Sequence, residues 1–373
     1  MQNSLVVEYA EERFRIVSNG DVDLASVVAL VSPGFVVIDD PGEVTCEVEL
    51  RVDRFDRSWY TADKPWRLPP LLQVDHDGGA ALRILRYSAE HKTIFRYTEE
   101  GCAELQLDVP RGNRKWLLTV EEADAYGVRA IARMFKQLVG FCVMRKGAAI
   151  FHASAVRIGD INYVFYGPRG SGKSSFMLRC CVDLGAKLVS DDLLIAWTDS
   201  MGRLRVSGWP RRIGISLSAF DPQLEARVAA CELRREQTLG TEWRQNIGLH
   251  YPPAERKRLL FDMDEFMSVF GVEYTDRQGP IRFVRLNYNT TVPGAKSIAP
   301  LEHVYGDDSY LNAKLLKYFS DYLSLGPETS ATADEIRFED ISGHGNLYTL
   351  EYGADFFGDF ASNWRAIESS LPT

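Results

Sequence analysis

Gly167-Pro-Arg-Gly-Ser-Gly-Lys-Ser174 matches G-x-x-x-x-G-K-[ST] at every fixed position. Those residue types at that spacing suit the cradling of phosphate. Glycines let backbone N–H groups converge on an anion, and a helix starting at the loop adds the positive end of its dipole. Lys173 can then reach the β- and γ-phosphates, and the Ser174 hydroxyl can ligate Mg²⁺. Gly167, Arg169, Gly170, Ser171, Gly172, Lys173, Ser174 and Ser175 form the expected nucleotide-binding set. The expected ligand is a nucleoside triphosphate, ATP or GTP, with Mg²⁺.

A second group of chemistry-bearing residues follows closely. Ala186-Lys-Leu-Val-Ser190 reads as a strand and runs into Asp191-Asp192. A carboxylate at the end of an apolar strand near a P-loop can hold the Mg²⁺ of the nucleotide. Neighbours on a strand point to opposite faces, so one aspartate can serve the metal and the other an acceptor hydroxyl. The plain alternative is an Asp-Asp turn between strands. An intact P-loop nearby favours the functional reading. His152, in Ile150-Phe-His-Ala-Ser-Ala-Val156, sits on an apolar run where a histidine is usually a satisfied core residue.

The elements needed to position these residues are legible around them. Tyr163-Val-Phe-Tyr166 reads as the strand entering the loop, and Ser174–Leu184 has helical spacing with Gly185 as its stop. Leu193–Trp197 and Ile281–Asn287 read as further strands. Thr290–Ser297 reads as a loop that would bring Lys296 over the phosphates, although an ordinary surface loop is the favoured reading. Asp307–Tyr310 is expected to cap a helix through Lys317, and Thr241–Arg244 and Glu255–Arg258 read as polar segments, the second locally basic.

The first 118 residues differ in pattern. Leu5–Tyr9, Val44–Val52 and Ala81–Tyr87 alternate as half-exposed strands, punctuated by Asn19-Gly20, Asp40-Pro41-Gly42 and Asp77–Gly79. Trp59, Tyr60 and Trp66, near Pro65, Pro69 and Pro70, are expected to pack under a long loop rather than to bind a ligand. Thr119-Val-Glu-Glu122 fits a capping box that would start a helix, with Val128, Ile131, Phe135, Leu138 and Cys142 as its apolar face and Arg129, Arg133 and Lys136 solvated. Gly147 would end it. The expected organisation is a β-rich accessory domain (1–118), a connecting helix (119–146) and a nucleotide-binding catalytic domain (147–373).

Composition narrows the class. The 373 residues exceed the usual span of one core, and 45% hydrophobic and 25% charged content is that of a globular protein. A net charge of −9 argues against a general nucleic-acid or anionic-membrane surface. No apolar run has bilayer-crossing length, and the N-terminus lacks the basic and apolar regions of a signal peptide, so a cytoplasmic location is expected. The six cysteines show no C-x-x-C and read as structural.

Histidine, P-loop and paired aspartates, in that order, resemble the catalytic domain of HPr kinase/phosphorylase, which shares a core with phosphoenolpyruvate carboxykinase. The likeness covers residues 148–200 well and 148–320 loosely. It implies an α+β or α/β P-loop kinase domain behind an unrelated β-rich front end. By position, it implies that Asp191 accepts the proton of the substrate hydroxyl, that Asp192 is associated with the metal, and that His152 stands beside the acidic pair. It also implies a homo-oligomer. The family's Glu-x-Arg-Gly-x-Gly segment corresponds most nearly to Ser207-Gly-Trp-Pro-Arg-Arg-Ile-Gly-Ile215, which has no glutamate. HPr as substrate and the reverse phosphorylase activity are therefore not carried over. Arg211 or Arg212 remains a candidate contact to substrate or phosphate, with a surface salt bridge as the alternative.

These readings together lead to an ATP-dependent kinase acting on a hydroxyl, such as serine, of a peptide, protein or small molecule. The catalytic set is Asp191, His152 and Lys173, and the metal set is Ser174 and Asp192. The alternative is a nucleotide-dependent ATPase switch whose only acceptor is water. Neither H-R-D-L-x-x-x-N nor D-F-G is present, and no N-K-x-D motif marks a GTPase.

Overall fold

The computed structural model describes residues 4–39, 42–55, 72–75, 81–88, 92–98, 102–110, 115–145, 147–231, 258–301 and 346–371. Trp59, Tyr60, Trp66, Thr241–Arg244, Glu255–Lys257 and Asp307–Lys317 lie outside these residues. The fold is mixed α+β with several sheets, and the described residues form two compact units, one up to Arg145 and one from Gly147 onward.

In the first unit, β1 (Ser4–Tyr9), β2 (Glu12–Ser18), α1 (Leu24–Ala29), β3 (Val36–Ile38), β4 (Cys46–Val52), β5 (Leu72–Asp75), β6 (Ala81–Ser88), β7 (Lys92–Thr98), β8 (Leu105–Pro110) and β9 (Lys115–Val120) precede α2 (Ala125–Arg145). The strands make a nine-stranded sheet in the order β3-β1-β2-β4-β9-β8-β7-β6-β5. Pairing is parallel at β2–β4 and β4–β9 and antiparallel elsewhere. Strict alternation in β2 buries Phe14 and Ile16 on one face while Arg13 and Arg15 stay half-exposed.

Thr119 does not start α2: it belongs to β9, and the Asp124 carboxylate accepts the N–H groups of Tyr126 and Gly127 instead. The strand's pairing with β4 and β8 outweighs the local capping pattern. Val128, Ile131, Phe135 and Leu138 are buried as the periodicity requires, but so are Met134, Val139, Phe141 and Val143. The helix packs on α1 as well as on β2, β8 and β9, so one stripe is not enough to cover it. A cavity of about 440 Å³ lined by Leu5, Val22, Leu24, Val28 and Val37 opens beside α1. Its one acid, Asp23, is occupied in capping α1, and the chemistry-bearing residues lie in the second unit.

That unit comprises β10 (Ala149–Phe151), β11 (Ser154–Ile158), β12 (Ile161–Tyr166), α3 (Lys173–Leu184), β13 (Lys187–Ser190), β14 (Leu194–Thr198), β15 (Leu204–Gly208), β16 (Ile213–Ser216), α4 (Pro222–Ala229), β17 (Arg258–Phe261), α5 (Met263–Phe270), β18 (Ile281–Tyr288), β19 (Lys296–Pro300), β20 (Asn346–Tyr352) and α6 (Phe360–Ser369). A six-stranded sheet runs β13-β11-β12-β18-β20-β19, beside a three-stranded sheet β10-β14-β15 and the pair β16-β17. Strands β12, β18 and β20 are mutually parallel, so their C-terminal ends gather at the loop between β12 and α3. Helix α3 packs on β11 and β12 and against α6. Phe176 is its anchor. It is fully buried among Phe165, Tyr352, Phe356, Phe360 and Trp364, a burial that contributes about 2–3 kcal/mol.

Candidate active site

The P-loop is the turn from β12 into α3. Gly167, Gly170 and Gly172 have φ of 143°, 88° and 85°, in the left-handed region that glycine alone enters freely. Gly172 is also fixed by its neighbour, because a Cβ there would lie 2.3 Å from the Tyr352 hydroxyl. That hydroxyl, at the end of β20, donates to Ser171 O at 2.8 Å and ties the loop to the sheet. A Cβ at Gly167 would meet Leu286 O of β18 at 2.8 Å. Two parallel strands thus shape the loop from below.

Lys173 is buried, and its ammonium donates to Gly167 O at 2.9 Å and Pro168 O at 3.1 Å across the loop. Burial brings its pKa down to about 8; the charges of Asp192 and Asp191 oppose that fall, and Arg258 adds to it. Ser174 turns the other way, its hydroxyl donating to Asp191 Oδ1 at 2.8 Å. Arg169 is exposed on the loop.

The acidic pair sits on a strained turn. Leu193 N–H donates to Asp191 O at 2.8 Å, two residues back, and Asp192 at the centre has φ 69°. This is a rare γ-turn conformation for a side-chain-bearing residue, of the kind that collects at functional sites. The Ser190 hydroxyl clamps it by donating to Leu193 O. The turn sends the two carboxylates into different surroundings. Asp191 is 5% exposed; Oδ1 accepts from Ser154 Oγ at 2.7 Å and from Ser174 Oγ, and Oδ2 from Gly214 N–H at 3.4 Å. Burial and then the charge of Asp192 push its carboxyl above the usual range, against the pull of those three donors. A register shift in the β11–β13 pairing at Ala155/Val156 adjoins Ser154.

Asp192 faces outward with 28% of its side chain exposed. His152 Nε2 lies 3.2 Å from its Oδ1, and Arg211 Nη1 lies 2.5 Å from Oδ2. Burial and then the charge of Lys173 depress the His152 imidazole below its ordinary range, with Asp192 opposing. Arg211 thus joins the site. Arg212 turns away, its Nε 3.5 Å from Asp262 at the start of α5. Lys296 opens β19 and donates to Asn363 Oδ1 at 3.1 Å, so it does not reach over the loop.

The structure therefore brings His152, Lys173, Ser174, Asp191, Asp192 and Arg211 together. It adds Ser154, Gly214, Tyr352 and Arg258, which sequence reasoning did not single out. Ser154 was open to discovery as a hydroxyl two positions past His152 on a strand. Arg258 closes the segment read as locally basic and Gly214 lies in the one set against the family motif, but nothing in their spacing tied either, or Tyr352, to this site. Among the described residues no three His, Cys, Asp or Glu side chains gather to hold a metal. Mg²⁺ in nucleotide sites needs no such cage, since one or two carboxylates, a hydroxyl, phosphate oxygens and water suffice. Ser174 with Asp191 and Asp192 fits that requirement. No protein-family model and no curated protein sequence gives a significant match to this chain.

Proposed function

We propose that the chain is a Mg²⁺-dependent phosphotransferase with an HPr kinase-like catalytic domain, moving the γ-phosphoryl group of ATP or GTP to a hydroxyl of a peptide, protein or small molecule. The observation that carries this reading is the Ser174–Asp191 hydrogen bond, 2.8 Å long, which joins the phosphate loop to an acidic pair whose second member is open to solvent. A loop that only bound nucleotide for structural reasons would not require that pair.

The chain's residues would act in sequence. Loop N–H groups and the N-terminus of α3 bind the phosphates. Lys173 exchanges its loop carbonyls for phosphate oxygens and neutralises charge where the γ-phosphoryl group departs. Ser174 and one member of the acidic pair would hold Mg²⁺, which would supply charge neutralisation at the phosphates. The other aspartate takes the proton of the attacking hydroxyl, and Arg211, leaving Asp192, is free to meet the transferring group. Positioning and electrostatics supply most of the rate in such transfers.

The test uses γ-labelled ATP with the purified protein, Mg²⁺ and an extract of its own cells. The proposal expects label in an acceptor other than water, and none with Lys173→Ala. Label released only as inorganic phosphate, whatever the extract, would replace the kinase by an ATPase.

A further inference from the structure

We infer that the two aspartates divide the work in the sense opposite to that implied by the family resemblance. Asp191 serves the metal, and Asp192 accepts the proton of the acceptor hydroxyl with His152 as its positioning residue. The inference rests on the phosphotransferase reading above and assigns the roles within it.

Accessibility decides the matter. Asp191 is 5% exposed and already receives Ser154 Oγ, Ser174 Oγ and Gly214 N–H. A substrate hydroxyl arriving from solvent would have to displace one of these donors, whereas Mg²⁺ would be met by the carboxylate and the Ser174 hydroxyl together. Its contact with Ser174 is the pairing that P-loop nucleotide enzymes use for Mg²⁺, a loop hydroxyl beside a strand-end aspartate. Ser154 and Gly214 then act as the outer partners that orient a metal-associated carboxylate.

Asp192 has the complementary surroundings. The strained φ of 69° turns its side chain outward, where 28% of it is exposed. A carboxylate offers about four lone-pair positions. His152 and Arg211 approach one oxygen each, which leaves room for a hydroxyl. His152 Nε2, 3.2 Å from Oδ1, fixes the orientation of the carboxylate. In the transfer, the acceptor oxygen forms a bond to the γ-phosphorus and its proton passes to Asp192. The bond from the γ-phosphorus to the β,γ-bridging oxygen breaks, and the nucleoside diphosphate leaves with that electron pair.

The experiment compares full-length wild type, Asp191→Asn and Asp192→Asn. Binding of a non-hydrolysable ATP analogue is measured by calorimetry with saturating Mg²⁺ and in EDTA, and transfer is measured in parallel. Mg²⁺ is expected to tighten binding to wild type and to Asp192→Asn alike, and that gain shrinks by about 10- to 100-fold in Asp191→Asn. Transfer by Asp192→Asn is expected to fall by about 10²–10⁴-fold, with partial recovery in Asp192→Glu. A gain lost in Asp192→Asn and kept in Asp191→Asn would restore the division implied by the resemblance. A gain lost in both, or in neither, would also overturn the inference. Should Asp191→Asn not fold, the partly exposed Asp192→Asn variant decides alone: a lost gain overturns the assignment and a kept gain supports it. Binding does not depend on turnover. A wild type that transfers nothing would therefore remove the kinase reading and the base, while the metal assignment is still read from the calorimetry.

Discussion

Ser174 Oγ donates to Asp191 Oδ1 at 2.8 Å, joining the end of the P-loop to a carboxylate seventeen residues further along the chain. The link depends on the sheet. Strand β13 lies at its edge beside β11, and β11 pairs with β12, the strand that feeds the loop. Strand pairing therefore sets the distance between hydroxyl and carboxylate.

If that hydroxyl ligates Mg²⁺, Ser174→Ala should raise the Mg²⁺ concentration for half-maximal turnover by about tenfold or more. Nucleotide affinity measured in EDTA should stay near the wild-type value. Equal losses with and without Mg²⁺ would place the defect in the loop itself.

The loop's shape depends on Gly172 and Tyr352 together. In Gly172→Ala the backbone must hold φ 85°, at a cost of about 1–2 kcal/mol, and the new methyl meets a buried ring hydroxyl at 2.3 Å. Nucleotide affinity should fall at least about tenfold, while Tyr352→Phe alone loses one hydrogen bond and about 1 kcal/mol. The double variant should bind better than Gly172→Ala, because the clash is gone and only the strain remains. Additive losses would show that the two residues do not interact.

Gly208 closes β15 against the strand leading to the acidic pair. A Cβ there would lie 2.0 Å from Val189 O, a backbone atom that no rotamer change can move aside. Gly208→Ala should cost about 3 kcal/mol or more in urea unfolding. An unchanged midpoint would contradict this packing.

Asp199 gives a pH signature away from the site. Its carboxylate accepts the N–H groups of Met201 and Arg203 and the side chains of Arg203 and Arg205, closing the turn between β14 and β15. Burial opposes its ionisation, but these donors prevail and hold the carboxyl below its ordinary range. A carboxyl depressed on folding stabilises the protein above its unfolded pKa of about 3.9, and that contribution fades as pH falls toward the folded value. Wild type should therefore exceed Asp199→Asn in urea resistance at pH 7 and pH 5, with the difference shrinking below about pH 4. A difference that grows with acidity would reverse the sign.

Motifs with local spacing were legible in the sequence, and long-range partners were not. Gly185 does stop α3, with φ 66° and its N–H on Cys180 O, because the signal for a helix end is contained within one turn. Thr119 misled because a capping pattern is also local, whereas the pairing that makes it a strand residue is not. The β1–β2 hairpin turns on Ala10 and Glu11 with φ of 51° and 64°, where the Asn-Gly signal of such turns is missing. Likewise, His152, Lys173 and the aspartates were found by type and order. Tyr352 reaches Ser171 across 181 residues, and no window of sequence could pair them.

Phosphoryl transfer to a hydroxyl is tested most directly by the chemistry of the product. Protein, Mg²⁺, γ-labelled ATP and cell extract are incubated, and the labelled acceptor is split between hot acid and mild alkali. A phosphomonoester survives the acid, whichever hydroxyl carries it, and one on serine of a peptide or protein is also released by alkali; survival in acid is the result expected here, absent with Lys173→Ala. Label lost in acid would mean a carboxylate or histidine acceptor, and label found only as free phosphate would mean water; either contradicts the hydroxyl kinase.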